Sequence, residues 1–251
     1  MKYIITIILF AILPSMTGLD LAIEMEKRPK PLDISSKNSM EIIKKNGKKR
    51  ILKLLNKSKD NSKKQMIWFL EPKDDYGFAF LKIETKGQPD YMTMWLPGFK
   101  KHRRIQSQNK SDSFMGSDLS YEDMTNRDTD EYNFTILDDD ALCKIDSKEK
   151  CYILSSKPKD KYSEYSKHIT WVSKDSFLAI KEESFDKKNQ KLKYKEIEYK
   201  LIDNFYIMNF LSVKNVQKNT STVLSSKDII INNGFKDDIF HPKSLKRVPH
   251  N

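Results

Sequence analysis

Few residues in this chain can carry chemistry, and they are scattered. The four histidines are His102, His168, His241 and His250. None stands at an HExxH or other metal-ligand spacing, so no metal site is expected. Asp138, Asp139 and Asp140 can in principle hold a cation, but three acids at a turn are more often solvated. No GxSxG, P-loop or GxGxxG occurs. His102 lies between Lys101 and Arg103, cations that disfavour its protonated form, and no nucleophile is placed to use it. No catalytic residue and no cofactor are expected, and the chain is not expected to be an enzyme.

Cys143 and Cys151 are the two cysteines. They are symmetric about Ser147 and would face each other across a hairpin centred there. An oxidising compartment permits a disulfide, which at this loop length contributes about 2–3 kcal/mol. The alternative is two packed free thiols. There is no CxxC to suggest redox chemistry.

The densest grouping runs from Trp95 to Met124, WLPGFKKHRRIQSQNKSDSFMGSDLSYEDM. A Pro-Gly turn leads into a basic strand with Lys100, Arg103 and Arg104. A polar loop follows, holding two apolar residues, Phe114 and Met115. Charge and turn chemistry without a nucleophile point to binding rather than catalysis.

The elements that must position these residues are mostly strands. Residues 19–27 have helical spacing and are ended by Pro29 and Pro31. Asn46-Gly47 joins strands 34–45 and 48–57. Strands follow at 65–70, 78–84, 91–96 and 101–106, then at 132–137 and 151–155. Five more are expected at 168–173, 177–185, 191–202, 205–215 and 220–231. Short strands at this spacing predict a mainly β, meandering antiparallel sheet in one domain, residues 19–251. The 205–215 strand is apolar on both sides, as either a curved sheet with an apolar concavity or a sandwich requires.

The N-terminus has the outline of a secretory signal peptide, residues 1–18, with cleavage near Gly18. A positive start precedes an apolar run at 4–13, and small residues follow. That run is shorter than the roughly 20 residues of a membrane span. The mature chain is therefore expected to be exported. A formal charge of +11 in an exported protein points to anionic lipid or acidic partners, and no nucleic acid is expected.

Two segments, MWLPGFKKHRRI and SDSFMGSDLSYEDM, carry a family resemblance. The chain resembles the LolA-like outer-membrane lipoprotein-sorting protein family, in the branch often found beside RND/MMPL-type exporters. FLEPKDDYGFAFLKIE, CYILSSKPK and INNGFKDDIFHPKSLKR fit in the same order. The branch usually has a small apolar residue where His102 stands.

The resemblance implies an unclosed, strongly curved half β-barrel with short helices across its open face. It implies a periplasmic carrier or chaperone that binds lipoprotein acyl chains, or another lipid, in a hydrophobic cavity and passes it toward the outer membrane. The implied partners are the cargo, an RND/MMPL-type inner-membrane exporter and an outer-membrane acceptor, with the carrier itself a monomer. One alternative is a periplasmic module that binds or senses without transporting; another is a lipid-modifying enzyme.

The expected cavity lining is Trp68, Leu70, Phe78, Phe80, Trp95, Phe114, Met115, Ile207, Leu211 and Val213. Lys100, Arg103 and Arg104 are the expected rim for headgroup or partner. A helix capped by Ser117, spanning 118–124 with Leu119, Tyr121 and Met124 on its apolar side, is expected either as a lid over the mouth or as a plug packed into the core of the sheet, since both use the same apolar face. On that view Phe114→Asp or Met115→Asp abolishes ligand retention and leaves the fold intact.

Overall fold

The computed structural model describes residues 16–144 and 148–249. The apolar run at 4–13 lies outside them. Thr17 and Gly18, the last residues of the expected leader, belong to the fold. Thr17 caps helix α1 (Gly18–Lys27): its Oγ1 accepts from the Asp20 backbone N–H at 3.1 Å, and its own N–H donates to Asp20 at 3.0 Å. Gly18 sits so close to the next element that an added Cβ would lie 2.6 Å from the backbone of Phe134. Only glycine allows that approach.

Thirteen strands form a single antiparallel sheet. They are β1 (Asp33–Ile43), β2 (Lys49–Lys59), β3 (Lys64–Glu71), β4 (Ala79–Ile83), β5 (Tyr91–Leu96) and β6 (Lys101–Ile105), then β7 (Tyr132–Leu142), β8 (Lys150–Pro158), β9 (Tyr165–Ser173), β10 (Ala179–Asp186), β11 (Lys191–Ile202), β12 (Phe205–Asn215) and β13 (Thr220–Ile231). The expected hairpin at Asn46-Gly47 joins β1 to β2, with Gly47 at φ 79°.

The spatial order is β6-β5-β4-β3-β2-β1-β13-β12-β11-β10-β9-β8-β7. The first six strands therefore walk to one edge, and the last seven start at the opposite edge and walk back until β13 meets β1. The edges β6 and β7 do not pair, so the half-barrel is unclosed. One consequence governs the rest of the molecule. Residues 106–131 must carry the chain from one edge of the sheet to the other. At about 4.8 Å per strand the sheet is on the order of 55–60 Å wide along its arc, and the crossing segment takes the chord through the concavity.

Both faces of the β3–β5 half are covered. The concave core joins Met40, Leu52, Leu54, Phe69, Phe80, Met94 and Ile105 to Phe114, Leu119 and Tyr121 of the crossing segment. On the convex side Met66, Trp68, Leu81 and Trp95 lie under the C-terminal segment, whose Phe240 and Leu245 are buried against them. A third cluster packs Leu21 of α1 on Leu154 and Val172.

Asp33 holds the C-terminal cover in place. Its buried carboxylate accepts from the backbone N–H groups of Asn233 at 2.6 Å, Gly234 at 2.8 Å and Phe235 at 2.9 Å, and from the Asn233 side-chain amide at 3.0 Å. Burial alone would raise this carboxyl; the four donors outweigh it and hold it below the usual range. Asp33→Ala is expected to lower stability by about 2–3 kcal/mol and to expose Trp68 and Trp95. A red-shifted tryptophan emission at denaturant concentrations below the main transition is the check.

Candidate functional site

The concavity holds an open space of about 350 Å³, at the low end of the roughly 300–1,000 Å³ usual for ligand pockets. Its character follows from strand register. Met40 of β1 stands opposite Leu52 of β2 and Leu224 of β13; one step on, Asn38 faces Leu54 and Ser226; then Ser36 faces Asn56; then Ile34 faces Ser58. Side chains two apart share a face, so the inner wall grades from apolar to polar toward the mouth. Ile67, Phe114, Leu119, Leu211 and Leu224 lie along the apolar stretch. Among the described residues, the buried Asn38 Oδ1 has no hydrogen-bond partner. Arg28, Lys30 and Lys59 stand in the wall, near exposed Leu32 and Tyr206.

Of the ten expected lining residues, Phe114, Ile207 and Leu211 reach this cavity. Phe78, Phe80, Met115 and Val213 belong to the concave core beside it. Trp68, Leu70 and Trp95 lie on the opposite, convex face under Phe240 and Leu245, so their placement in the lining is corrected. The run MIWFL is apolar at every position because both faces of β3 are covered, and such a run does not say which side is inside.

The lid is corrected too. Residues 118–124 are not an α-helix; they hold one 3-10 turn, Glu122–Met124. Ser117 does not cap a helix: its Oγ donates to the Phe114 carbonyl at 2.7 Å and accepts from the Leu119 N–H at 3.2 Å. Ser113 and Ser120 form an isolated bridge, closed by a Phe114 N–H to Leu119 carbonyl bond of 2.7 Å. The Asp118 N–H, which a helix would leave free, is taken by Thr222 Oγ1 at 2.9 Å. A helix advances 1.5 Å per residue and a strand about 3.3 Å, and a segment that must cross the concavity favours the longer reach. Phe114, Leu119 and Tyr121 are 1%, 5% and 5% exposed. The segment is a plug built into the core.

The expected rim residues do not converge. They lie on or beside the edge strand β6, where Arg103 pairs with Asp112 at 3.4 Å. Arg104 stacks 3.9 Å over Tyr91 on the other face and donates to the Asp90 carbonyl at 3.1 Å. Lys100 ends the Pro97–Phe99 turn at φ 49°. The cavity's cations are instead Arg28, Lys30, Lys59 and Lys82. Cys143 and Cys151 form a disulfide with a Cα separation of 5.1 Å. Cys151 pairs across the sheet with Ala141, and irregularities in β7 bring Cys143 to it.

What sequence reasoning missed is a buried charged network that ties the plug to the second half of the sheet. Asp123 accepts from Lys193 at 2.8 Å, Lys195 at 2.7 Å and the Tyr165 hydroxyl at 2.9 Å. Lys195 bridges on to Glu182 at 3.1 Å, which Arg127 grips with both guanidinium nitrogens. Lys193 also reaches Glu164 at 3.0 Å. Burial opposes ionisation of Asp123, but Lys195 and Lys193 outweigh it and hold the carboxyl well below its usual range. Arg127 and Lys195 do the same for Glu182. His168 lies 3.5 Å from Glu182, yet burial and the neighbouring Arg127 keep its ring neutral, well below the usual 6.5. Its Nδ1 meets Ser184 Oγ at 2.9 Å.

An unclosed antiparallel sheet wrapped around a partly filled, mouth-open cavity defines the LolA-like half-barrel class. A protein-family model described as an uncharacterized protein matches residues 61–247, and the chain belongs to that family, DUF1329. Among solved structures it is similar to an outer membrane lipoprotein-sorting protein domain of Vibrio parahaemolyticus, at 29% identity and TM-score 0.85, over 92% of this chain and 98% of that one. A DUF1329 family protein of Desulfovibrio piger is 29% identical with TM-score 0.83, over 91% and 97%. A LolA superfamily protein of Nitrosomonas europaea shares the fold at 18% identity and TM-score 0.72, over 92% and 100%. No curated protein matches the chain.

Proposed function

We propose that this protein is a periplasmic carrier that holds a lipid, or the acyl chain of a lipidated protein, in the graded cavity and passes it toward the outer membrane. The observation that carries the reading is the concave wall itself. An apolar stretch from Met40 to Leu224 sits behind a polar neck and opens beside exposed Leu32 and Tyr206. Burial of a chain there is worth about 0.8 kcal/mol per CH₂, and Met40 and Met124 in the wall can repack around varied chains. Similarity to the Vibrio sorting domain supports the direction of transport, and the Cys143–Cys151 disulfide suits an oxidising compartment.

On this reading the exported domain begins upstream of Thr17, which the Thr17 cap on α1 and the packing of Gly18 on Phe134 support; N-terminal mass analysis of the secreted protein tests this. An RND/MMPL-type exporter as donor and an outer-membrane acceptor complete the proposed route.

The plug favours a second reading. It fills much of the concavity, and a space of about 350 Å³ suits a small ligand that is sensed rather than shipped. Lipid extraction from protein purified out of its own envelope is the primary test. The expected result is a stoichiometric lipid that is absent from a Leu211→Trp variant filling the apolar stretch. An empty wild-type protein would sink the carrier. Transfer of the extracted lipid to acceptor vesicles then separates carrier from sensor.

A further inference from the structure

Arg28 and Lys30 occupy an unusual position. Both line the main cavity, and both also line a second cavity of about 240 Å³ that runs under α1 toward Leu154 and Thr170. Asn61 and Asn126 are shared by the two spaces as well. Both cations are half-buried, and among the described residues neither forms an ion pair with a carboxylate. Arg28 Nε donates to the Met25 carbonyl at 3.3 Å, and Lys30 Nζ donates to the Glu26 carbonyl. Those are backbone acceptors at the C-terminal end of α1, whose partial negative charge offsets the two cations only in part.

Apart from Glu26, which lines the second cavity, the charged groups around the mouth are already committed. Asp33 is saturated by backbone donors, and Asp123 by two lysines. Lys59 is held by Asp237 at 2.7 Å and Lys82 by Glu84 at 2.7 Å. Lys63 pairs loosely with Asp128 at 3.8 Å. Glu26 exerts only a longer-range attraction on Lys30, while Arg28 and Lys63 repel it. Burial and this repulsion both disfavour the charged state of Lys30, and burial does the same for Arg28. Two desolvated cations side by side at a cavity mouth are relieved by an anion bound between them.

The wall behind them says what the anion is attached to. Polar Asn56, Ser36 and Ser58 come first and apolar Met40, Leu54 and Leu224 follow, the order of groups in an amphiphile. We propose that the mouth is an anion-recognition site for a single-chain amphiphile, with its carboxylate or phosphate between Arg28 and Lys30 and its acyl chain along the graded wall. One chain matches the modest volume. This rests on the carrier reading and sharpens it, because a diacylglyceryl protein anchor carries no anionic headgroup.

The test is calorimetric titration of the full exported chain with palmitate, lysophosphatidylglycerol, neutral monopalmitoylglycerol and inorganic phosphate at low ionic strength. Palmitate and lysophosphatidylglycerol are expected to bind at least about tenfold more tightly than monopalmitoylglycerol, and phosphate alone far more weakly than either. The Arg28→Gln/Lys30→Gln variant should lose the anionic preference while binding monopalmitoylglycerol as before, and Arg28→Lys should keep most of it. The preference of palmitate over lysophosphatidylglycerol, or the reverse, identifies the headgroup source.

Equal affinity for neutral and anionic chains would overturn the site and leave the carrier standing. Phosphate binding as tightly as lysophosphatidylglycerol would overturn the amphiphile and leave a free-anion site. Binding of none of the three lipids would overturn both readings. A double variant that keeps the anionic preference would move the site away from Arg28 and Lys30.

Discussion

Asp123→Asn is expected to destabilise the protein by about 3–5 kcal/mol, seen as a loss of urea midpoint at unchanged slope. The substitution is nearly isosteric, so the effect is electrostatic. It leaves Lys193 and Lys195, 4% and 8% exposed at the side chain, without the carboxylate that neutralises them. Lys195 retains Glu182 at 3.1 Å and Lys193 retains Glu164 at 3.0 Å, so collapse need not be total. The loss falls on the plug's second anchor: Phe114 fixes the segment to the β3–β5 half, and Asp123 fixes it to β11.

The same network sets an acid limit. His168 titrates in the folded protein well below its usual 6.5. The unfolded chain therefore binds the extra proton first, and stability is full above about pH 6.5 and falls as pH drops below it, by up to about 1.4 kcal/mol per pH unit. Asp123 and Glu182 are depressed from 3.8 and 4.5. Their contributions are present above those values and are lost as pH falls through them toward the folded values, which steepens the decline. His168→Gln should flatten the first phase and leave the second. A stability profile that is flat from pH 7 to 5 in the wild type would contradict the buried neutral ring.

The fold and the site were unequally visible in the chain. Asn46-Gly47, the apolar run at 205–215 and the Pro29 and Pro31 stops give the helix and the existence of each strand, with strand ends off by up to five residues, as at β7. The order of strands is another matter. Nothing local in 106–131 states that β6 and β7 lie at opposite edges, and without that the segment reads as a lid helix because Ser117, Asp118 and Glu122 mimic a capped N-terminus. Lys191, Lys193 and Lys195 look like a solvated face by period-2 spacing. Lys193 and Lys195 instead point into the concavity and are buried because Asp123 arrives from the far edge. The signal available in sequence was that Glu182, Lys193 and Lys195 can share one sheet face and that SYEDM holds the acid able to meet them.

Trp68 and Trp95 failed as lining residues for a related reason. Each belongs to a strand covered on both sides, and the convex cover comes from Phe240 and Leu245, far downstream near the C-terminal end of the described residues. Arg28 and Lys30 were overlooked because a cation after a helix C-terminus ordinarily answers the helix dipole. Only the junction of two cavities distinguishes these two from that role.

Phe114→Ala separates plug from lid most directly. A lid residue exposed on opening would cost little to truncate. Phe114 instead sits with its ring 5.2 Å from Phe80 in an edge contact, 5.7 Å from Tyr121 and 6.0 Å from Phe69, and its truncation is expected to cost about 3–5 kcal/mol. Phe114→Asp, which adds an unpaired buried charge, is expected to prevent folding rather than to spare the fold while emptying the site. Phe114 also lines the existing cavity, so the space opened by alanine is continuous with a space that a ligand enters. A bound chain can fill it, and a ligand that binds only the folded state restores stability by mass action. Palmitate is therefore expected to raise the unfolding temperature of Phe114→Ala by more than it raises that of the wild type. A variant of wild-type stability would mean that the segment is held elsewhere and opens as a lid. A destabilised variant that palmitate does not rescue would mean that the chain does not reach the plug.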